Sequence, residues 1–222
     1  MNKKKQKVTG KKISSTNWLN RHINDPYVHF AKQQGYRSRS AFKLLEIDKS
    51  FSLLKECKGC VIDIGSAPGG WLQVIREKVA NTTHVLGVDL QTIHPIDNTT
   101  FFNGDFTSEK LRQEIEDFLR NNVFIKLRNV DLILTDMAPS TSGDRGTDHI
   151  RIMLLAESAA NYAIETLRHG GNFVAKIWSG NRQGDLISKL KHSFKIVEFY
   201  KPNASYKDSS EIFIIARGLL CK

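Results

Sequence analysis

Cysteine is scarce in this 222-residue chain, with only Cys57, Cys60 and Cys221. An odd, low count of this kind excludes a disulfide framework. Cys57 and Cys60 have the spacing of half a structural zinc site, but such a site takes four ligands, and no histidine pair stands nearby. They read as two ordinary thiols beside a strand, and no metal is expected. Long apolar runs are missing too: no stretch of about 18 apolar residues could form a membrane-spanning helix. The N-terminus has neither the apolar core of a secretory signal nor the arginine-rich amphipathic pattern of a transit peptide, so a cytoplasmic protein without a membrane partner is expected. Internal repeats and low-complexity linkers are absent, and the length suits a single core.

Positive charge is what the chain has in excess, and it is unevenly placed. The net charge is +10; residues 1–43 hold eleven Lys or Arg against one acid, Asp25, which leaves 22 bases and 22 acids for residues 44–222. A neutral body with a basic arm suits a polyanionic partner, although Lys3–Lys12 alone could equally be a solubilising tail. Trp18, Tyr27, Phe30 and Tyr36 interleave with Arg21, Lys32, Arg37 and Arg39. That mixture fits base stacking and phosphate contacts, and it also fits a packed helix with snorkelling cations. The expected organisation is a partly disordered basic arm over residues 1–30 and one domain over residues 31–222.

From residue 59 strands and helices alternate. Apolar runs predict strands at Cys60–Ile64, His84–Leu90, Thr100–Phe102, Val130–Thr135, Asn172–Trp178, Phe194–Phe199 and Glu211–Ala216. Helices are expected over Gly70–Ala80, Ser108–Arg120 and Leu186–His192. A longer one, capped by Asp148, would bury Ile150, Met153, Leu154, Ala160, Ala163, Ile164 and Leu167 and stop at Gly170-Gly171. The last two strands are joined without room for a helix and should pair antiparallel. The fold class is therefore α/β: a Rossmann-like, seven-stranded, mainly parallel sheet with helices on both faces.

Ligands of such sheets bind beyond the carboxyl ends of the strands. There the first strand runs into Gly65-Ser66-Ala67-Pro68-Gly69-Gly70, whose small residues allow a sharp turn and close approach to a ligand. Asp89 ends the second strand and can accept from both hydroxyls of a ribose; Asp105 follows the third and could reach an adenine amino group; Asp136 follows the fourth. One such aspartate would read as a loop cap. Three at successive strand ends suit a ligand with ammonium and sulfonium charges better than a pyrophosphate, which favours S-adenosylmethionine over NAD. Lys176 stands near the end of the fifth strand, and Glu211 opens the antiparallel seventh at the same edge. Charges inside apolar runs are costly unless paired, and their convergence points to a catalytic site.

These segments resemble the FtsJ/RrmJ family of ribosomal RNA 2′-O-methyltransferases over nearly the whole chain. The resemblance is carried by Ser38-Arg39-Ser40-Ala41-Phe42-Lys43-Leu44, Asp63-Ile64-Gly65-Ser66-Ala67-Pro68-Gly69-Gly70-Trp71, Asp136-Met137-Ala138-Pro139, Phe173-Val174-Ala175-Lys176 and Ser210-Glu211-Ile212-Phe213. It implies the fold of a class I S-adenosylmethionine-dependent methyltransferase. The family's Lys-Asp-Lys-Glu tetrad falls on Lys43, Asp136, Lys176 and Glu211, and its cofactor contacts fall on Gly69, Trp71, Asp89, Asp105 and Asp136. Ser66 replaces an alanine common in the family, and Thr135 a serine. For Lys43 the local pattern predicts only a helix, with Phe42 and Leu45 toward the core and the lysine in solvent; the resemblance alone places it in the site.

The substrate implied by the resemblance is a uridine ribose in the A-loop of large-subunit ribosomal RNA, within an assembled subunit, and a monomer is expected. The reaction would be in-line displacement at the sulfonium methyl by a ribose oxygen, with Lys176 as base or polariser. A lysine must be neutral to accept a proton; burial and a second cation favour that form, and neighbouring acids oppose it. Three alternatives remain. One is methylation of transfer RNA or another RNA. Another is an NAD(P)-dependent oxidoreductase, which leaves the tetrad and the basic arm unexplained. The third is a non-catalytic RNA-binding assembly factor, against which the intact tetrad speaks.

Overall fold

A computed structural model describes residues 20–21, 23–121, 129–180 and 184–221. The strands are β1 (Cys60–Ile64), β2 (His84–Asp89), β3 (Thr100–Asn103), β4 (Val130–Thr135), β5 (Leu167–Trp178), β6 (Phe194–Tyr200) and β7 (Glu211–Leu219). The helices are α1 (Pro26–Gln34), α2 (Ala41–Phe51), α3 (Gly70–Lys78), α4 (Glu109–Asn121), α5 (Arg145–Thr166) and α6 (Gly184–Ser193). All seven strands form one sheet in the order β3-β2-β1-β4-β5-β7-β6. The first five pair in parallel, and β7 runs antiparallel between β5 and β6. The expected α/β sheet is therefore present, including the antiparallel pairing of the last two strands.

Period-two alternation sends each central strand into two cores. Ile62, Ile64, Ile133, Phe173, Ala175 and Ile214 pack under α4, α5 and α6. Val61, Leu132, Leu134, Val174, Phe213 and Ile215 pack under α2 and α3. The second face matters for function, because the N-terminal segment covers it.

Three local expectations are corrected. Asp148 does not cap α5. Asp144 does, accepting the Thr147 N–H at 2.7 Å. Asp148 lies buried in the first turn and holds the preceding loop, accepting the Ser142 N–H at 2.8 Å and its hydroxyl at 2.7 Å. The buried face of α5 is also rotated. Ile152, Met153, Ala156, Ala159, Ala160 and Ala163 face inward, whereas Ile150 and Leu154 remain 39% and 60% exposed. A stripe of alanines lets the helix lie close to the sheet, and it outweighs the larger apolar residues beside it. Finally, Gly170-Gly171 does not end the helix, which stops at Thr166. The glycines lie inside β5, where the pairing with β4 slips from Val130↔Leu167 to Leu132↔Asn172. Gly170 there takes φ 76°, and a Cβ on Gly171 would meet the Arg168 carbonyl at 2.9 Å. A bulge needs such residues.

At the N-terminus, Lys3–Lys12 and Trp18 lie outside the described residues. α1 straddles residue 30, and Asp25 caps it through the Tyr27 N–H at 2.8 Å. Tyr27, Phe30 and Tyr36 pack on Phe42 with centroid distances of 5.5, 6.2 and 5.8 Å. Arg39 pairs with Asp25 at 2.7 Å and lies 3.9 Å from the Tyr206 ring centroid. Among the described residues of this segment, Tyr27, Phe30, Tyr36, Phe42 and Arg39 are packed against one another or against Tyr206.

Cys57 and Cys60 are free and buried; burial pushes the Cys57 thiol up to about 12 and the Cys60 thiol well above its usual range. Among the described residues, no group of three or more His, Cys, Asp or Glu side chains is placed to hold a metal ion. No described helix is long and apolar enough to cross a membrane.

Candidate active site at the carboxyl ends of the strands

The strand order reverses between β1 and β4, so the loops leaving these two strands diverge and open a crevice. Close contact there accounts for the glycine loop. Gly65 has φ 81°, and a Cβ on it would stand 2.5 Å from the Met137 side chain and 3.0 Å from the Met137 Cα. Gly69 has φ 106°, and a Cβ would meet the Arg37 guanidinium at 2.8 Å. Arg37 in turn fastens the loop, donating to the carbonyls of Pro68 at 3.3 Å, His94 at 2.6 Å and Pro95 at 2.8 Å.

The predicted acids of this half are held by backbone N–H groups of the strand-end loops. Asp89 accepts the Ala67 N–H through Oδ2 and the Gln91 N–H through Oδ1, both at 2.8 Å. Asp105 is exposed at the end of β3 and accepts from the Thr107 N–H at 2.8 Å and the Thr107 hydroxyl at 2.7 Å. Trp71 is buried; its indole N–H donates to the Ser40 carbonyl at 2.9 Å, and its ring lies 5.9 Å from Phe213.

Asp63 received no role from the sequence. It is 1% exposed in β1, and among the described residues neither carboxylate oxygen has a hydrogen-bond partner. Burial, with Asp136 and Asp89 adding to it, pushes its carboxyl well above the usual range. An acid within an otherwise apolar strand was the signal that could have singled it out.

The second half of the site lies on the face that α2 covers. In β5, Lys176 shares a face with Val174; in β7, Glu211 shares one with Phe213 and Ile215. The register sets Lys176 beside Phe213 and Trp178 beside Glu211. Lys43 descends from α2 and is 7% exposed, not solvated as its local pattern predicts; Ala41, Leu44 and Ile47 form the buried stripe with it. Glu46, one turn on, accepts the N–H groups of Asn203 and Ala204 at 2.5 and 3.0 Å and so ties α2 to the connection that leads into β7.

All four predicted transfer residues meet. Lys43 Nζ lies 2.8 Å from Glu211 Oε2 and 3.5 Å from Asp136 Oδ2. Lys176 Nζ pairs with Asp136 Oδ1 at 2.9 Å and donates to the Asp136 carbonyl at 2.6 Å. Burial alone would push the Lys43 ammonium down, but Asp136 and Glu211 outweigh it and hold the group above the usual lysine range. Burial likewise would raise Asp136; the charges of Lys176 and Lys43, with hydrogen bonds from Lys176 and Ser40, bring it down to about 2. The result is a desolvated network of two lysines and two carboxylates beside the ligand crevice.

The glycine loop and the buried Lys-Asp-Lys-Glu network lie together at the carboxyl ends of a doubly wound sheet. The match to the FtsJ-like methyltransferases runs over residues 36–219, and the chain belongs to that family. It is similar to the ribosomal RNA large subunit methyltransferase E of Zymomonas mobilis, at 47% identity over 92% of this chain and 89% of that protein. The protein of the same name from Gluconobacter oxydans is 43% identical over 94% of this chain and 74% of its own length. Among solved structures, a ribosomal RNA methyltransferase from Plasmodium falciparum superposes with a TM-score of 0.72 at 28% identity, covering 84% of this chain and all of that one.

Proposed function

We propose that the protein transfers the methyl group of S-adenosylmethionine to a uridine ribose 2′-hydroxyl of large-subunit ribosomal RNA, in the assembled subunit and in the cytoplasm. The observation that carries this reading is the contact of Lys43, Asp136, Lys176 and Glu211 in one buried network at the strand ends. The residues suit the donor: glycines that leave no room for a Cβ, with Asp89 and Asp136 at neighbouring strand ends, match an adenosine bearing positive charge. Gly69 and the backbone of Trp71 at the start of α3 would hold it, with Asp89 at the ribose, Asp105 at the adenine and Asp136 at the reacting end. When bound, the donor supplies an electrophilic methyl on a sulfonium.

The remaining work falls to the chain's own side chains. A hydroxyl is a weak nucleophile and needs orientation and a route for its proton. Lys43, held as an ammonium, supplies fixed positive charge beside the acceptor. Asp136 anchors the Lys176 amine by its carbonyl and by Oδ1, and the remaining position on that amine faces the hydroxyl to polarise it or take its proton. Glu211 fixes Lys43 from the far side.

The test is methyl transfer from labelled S-adenosylmethionine to large ribosomal subunits, free ribosomal RNA and transfer RNA, followed by mapping of the modified nucleotide. Label on a uridine 2′-oxygen of the large subunit is expected. Label on transfer RNA alone would reassign the substrate, and label on a base would reject the ribose chemistry. The basic residues 3–12 lie outside the described structure; deleting residues 1–12 should weaken RNA binding and flatten its salt dependence.

A further inference from the structure

We infer that Ser40 and Ser205 are positioning residues of the transfer site, each orienting one of its two carboxylates through a hydroxyl hydrogen bond. The inference rests on the methyl-transfer reading above. Ser40 Oγ donates to Asp136 Oδ2 at 2.8 Å, and Ser205 Oγ donates to Glu211 Oε1 at 2.6 Å. In each acid the other oxygen meets a lysine: Asp136 Oδ1 pairs with Lys176 at 2.9 Å, and Glu211 Oε2 with Lys43 at 2.8 Å. The terminal torsion of a carboxylate is broad, so a lysine on one oxygen leaves the rotation of the carboxylate plane loosely set. A hydroxyl on one oxygen removes that freedom. It also explains the uneven sharing of Lys43, which sits closer to Glu211 than to the Asp136 oxygen that Ser40 already occupies, at 3.5 Å.

Both serines are themselves firmly placed. The Ser40 carbonyl accepts the Trp71 indole N–H at 2.9 Å. Ser205 is 5% exposed, and its N–H donates to the Pro202 carbonyl at 3.0 Å. Ser40 precedes α2 in the position where serine usually caps a helix. Yet its backbone is αR and its hydroxyl makes no capping bond, so capping does not account for the hydroxyl and the contact with Asp136 does. Neither serine pairs with a lysine of the network. Each acts through an acid, and its loss should slow turnover without weakening donor binding.

The experiment compares Ser40→Ala, Ser205→Ala and Ser40→Thr in the full chain. It measures kcat, KM for RNA, donor affinity by calorimetry and Tm. Each alanine variant is expected to lower kcat about tenfold, the scale of one lost charge-assisted hydrogen bond. Donor affinity should stay within about twofold. Ser40→Thr, which keeps the hydroxyl, should recover kcat to within about twofold of the parent. If the threonine variant is as slow as the alanine one, or if kcat falls only in step with Tm, the serines are structural and the inference is overturned. Should Ser205→Ala not fold, Ser205→Cys keeps the volume with a poor donor, and parental kcat in that variant overturns the claim for Ser205. Absence of methyl transfer by the parent chain itself would overturn the functional reading and the inference with it, whereas parental activity that survives the serine changes overturns the inference alone.

Discussion

The two halves of the site are built in opposite ways. In the proposed donor half, the acids answer to backbone N–H groups: Asp89 accepts from Ala67 in the neighbouring glycine loop and from Gln91, and Asp105 accepts from Thr107. In the transfer half, the acids answer to distant lysines. Lys43 lies 93 residues from Asp136 and 168 from Glu211 in sequence, and Lys176 lies 40 from Asp136. A half held by backbone N–H groups needs no remote charge to satisfy its acids. A half made of buried ion pairs exists only once the sheet and α2 have come together, because an unpaired charge there is too costly to bury. Binding and chemistry should therefore separate under mutation.

Lys176→Ala gives the largest effect: methyl transfer should fall by about a thousandfold, the scale of a lost general base or polariser, while donor affinity by calorimetry changes little. Comparable loss of donor affinity would break the division between halves. Asp89→Ala is the converse. Donor KM should rise about tenfold or more, with kcat at saturating donor within a few-fold of the parent, as steady-state kinetics would read.

The third prediction contrasts two aspartates. Asp136, brought down to about 2 from 3.8, stabilises the fold above its ordinary range, and that stability drains as pH falls through 4 toward 2. Asp63 is raised, so the sign reverses: its favourable contribution is present below 3.8 and is lost as pH rises. The stability of Asp63→Asn relative to the parent should accordingly improve from pH 4 to pH 7. Urea midpoints at the two pH values measure this, and a difference that does not change with pH would mean that Asp63 is ionised in the fold. The smallest effect is expected for Arg37→Ala. Freeing the carbonyls of Pro68, His94 and Pro95 loosens the glycine loop, and donor KM should rise only about two- to fivefold, with kcat retained.

Much of this was legible in the chain. Short apolar runs located all seven strands, most sharply β1 and β4, since a strand buried on both faces has little choice of residue. The glycine loop and Asp89 are legible because turn residues and strand ends are written in neighbouring residues, although Arg37 and the Ala67–Asp89 contact that fix them are remote. The buried face of α5 is not legible from residue size, because its alanine stripe packs closest to the sheet. Gly170-Gly171 is ambiguous in sequence, because a bulge and a helix end both call for glycine. Ser40 and Ser205 carried no signal, since a serine beside a helix or in a loop is ordinary and its partner lies far along the chain.

The sequence by itself determined the alternation of strand and helix, the acids at the strand ends and the excess of charge in residues 1–43. Through the resemblance, it also determined which four residues to watch. Tertiary structure alone decided that α2 covers the same face on which Lys176, Glu211 and Asp136 emerge, and that Lys43 is buried among them. Periodicity says that a side chain alternates between faces; it does not say which face a remote helix will cover. A lysine that looks solvated on its own helix becomes an interior cation only when two carboxylates from β4 and β7 arrive to meet it.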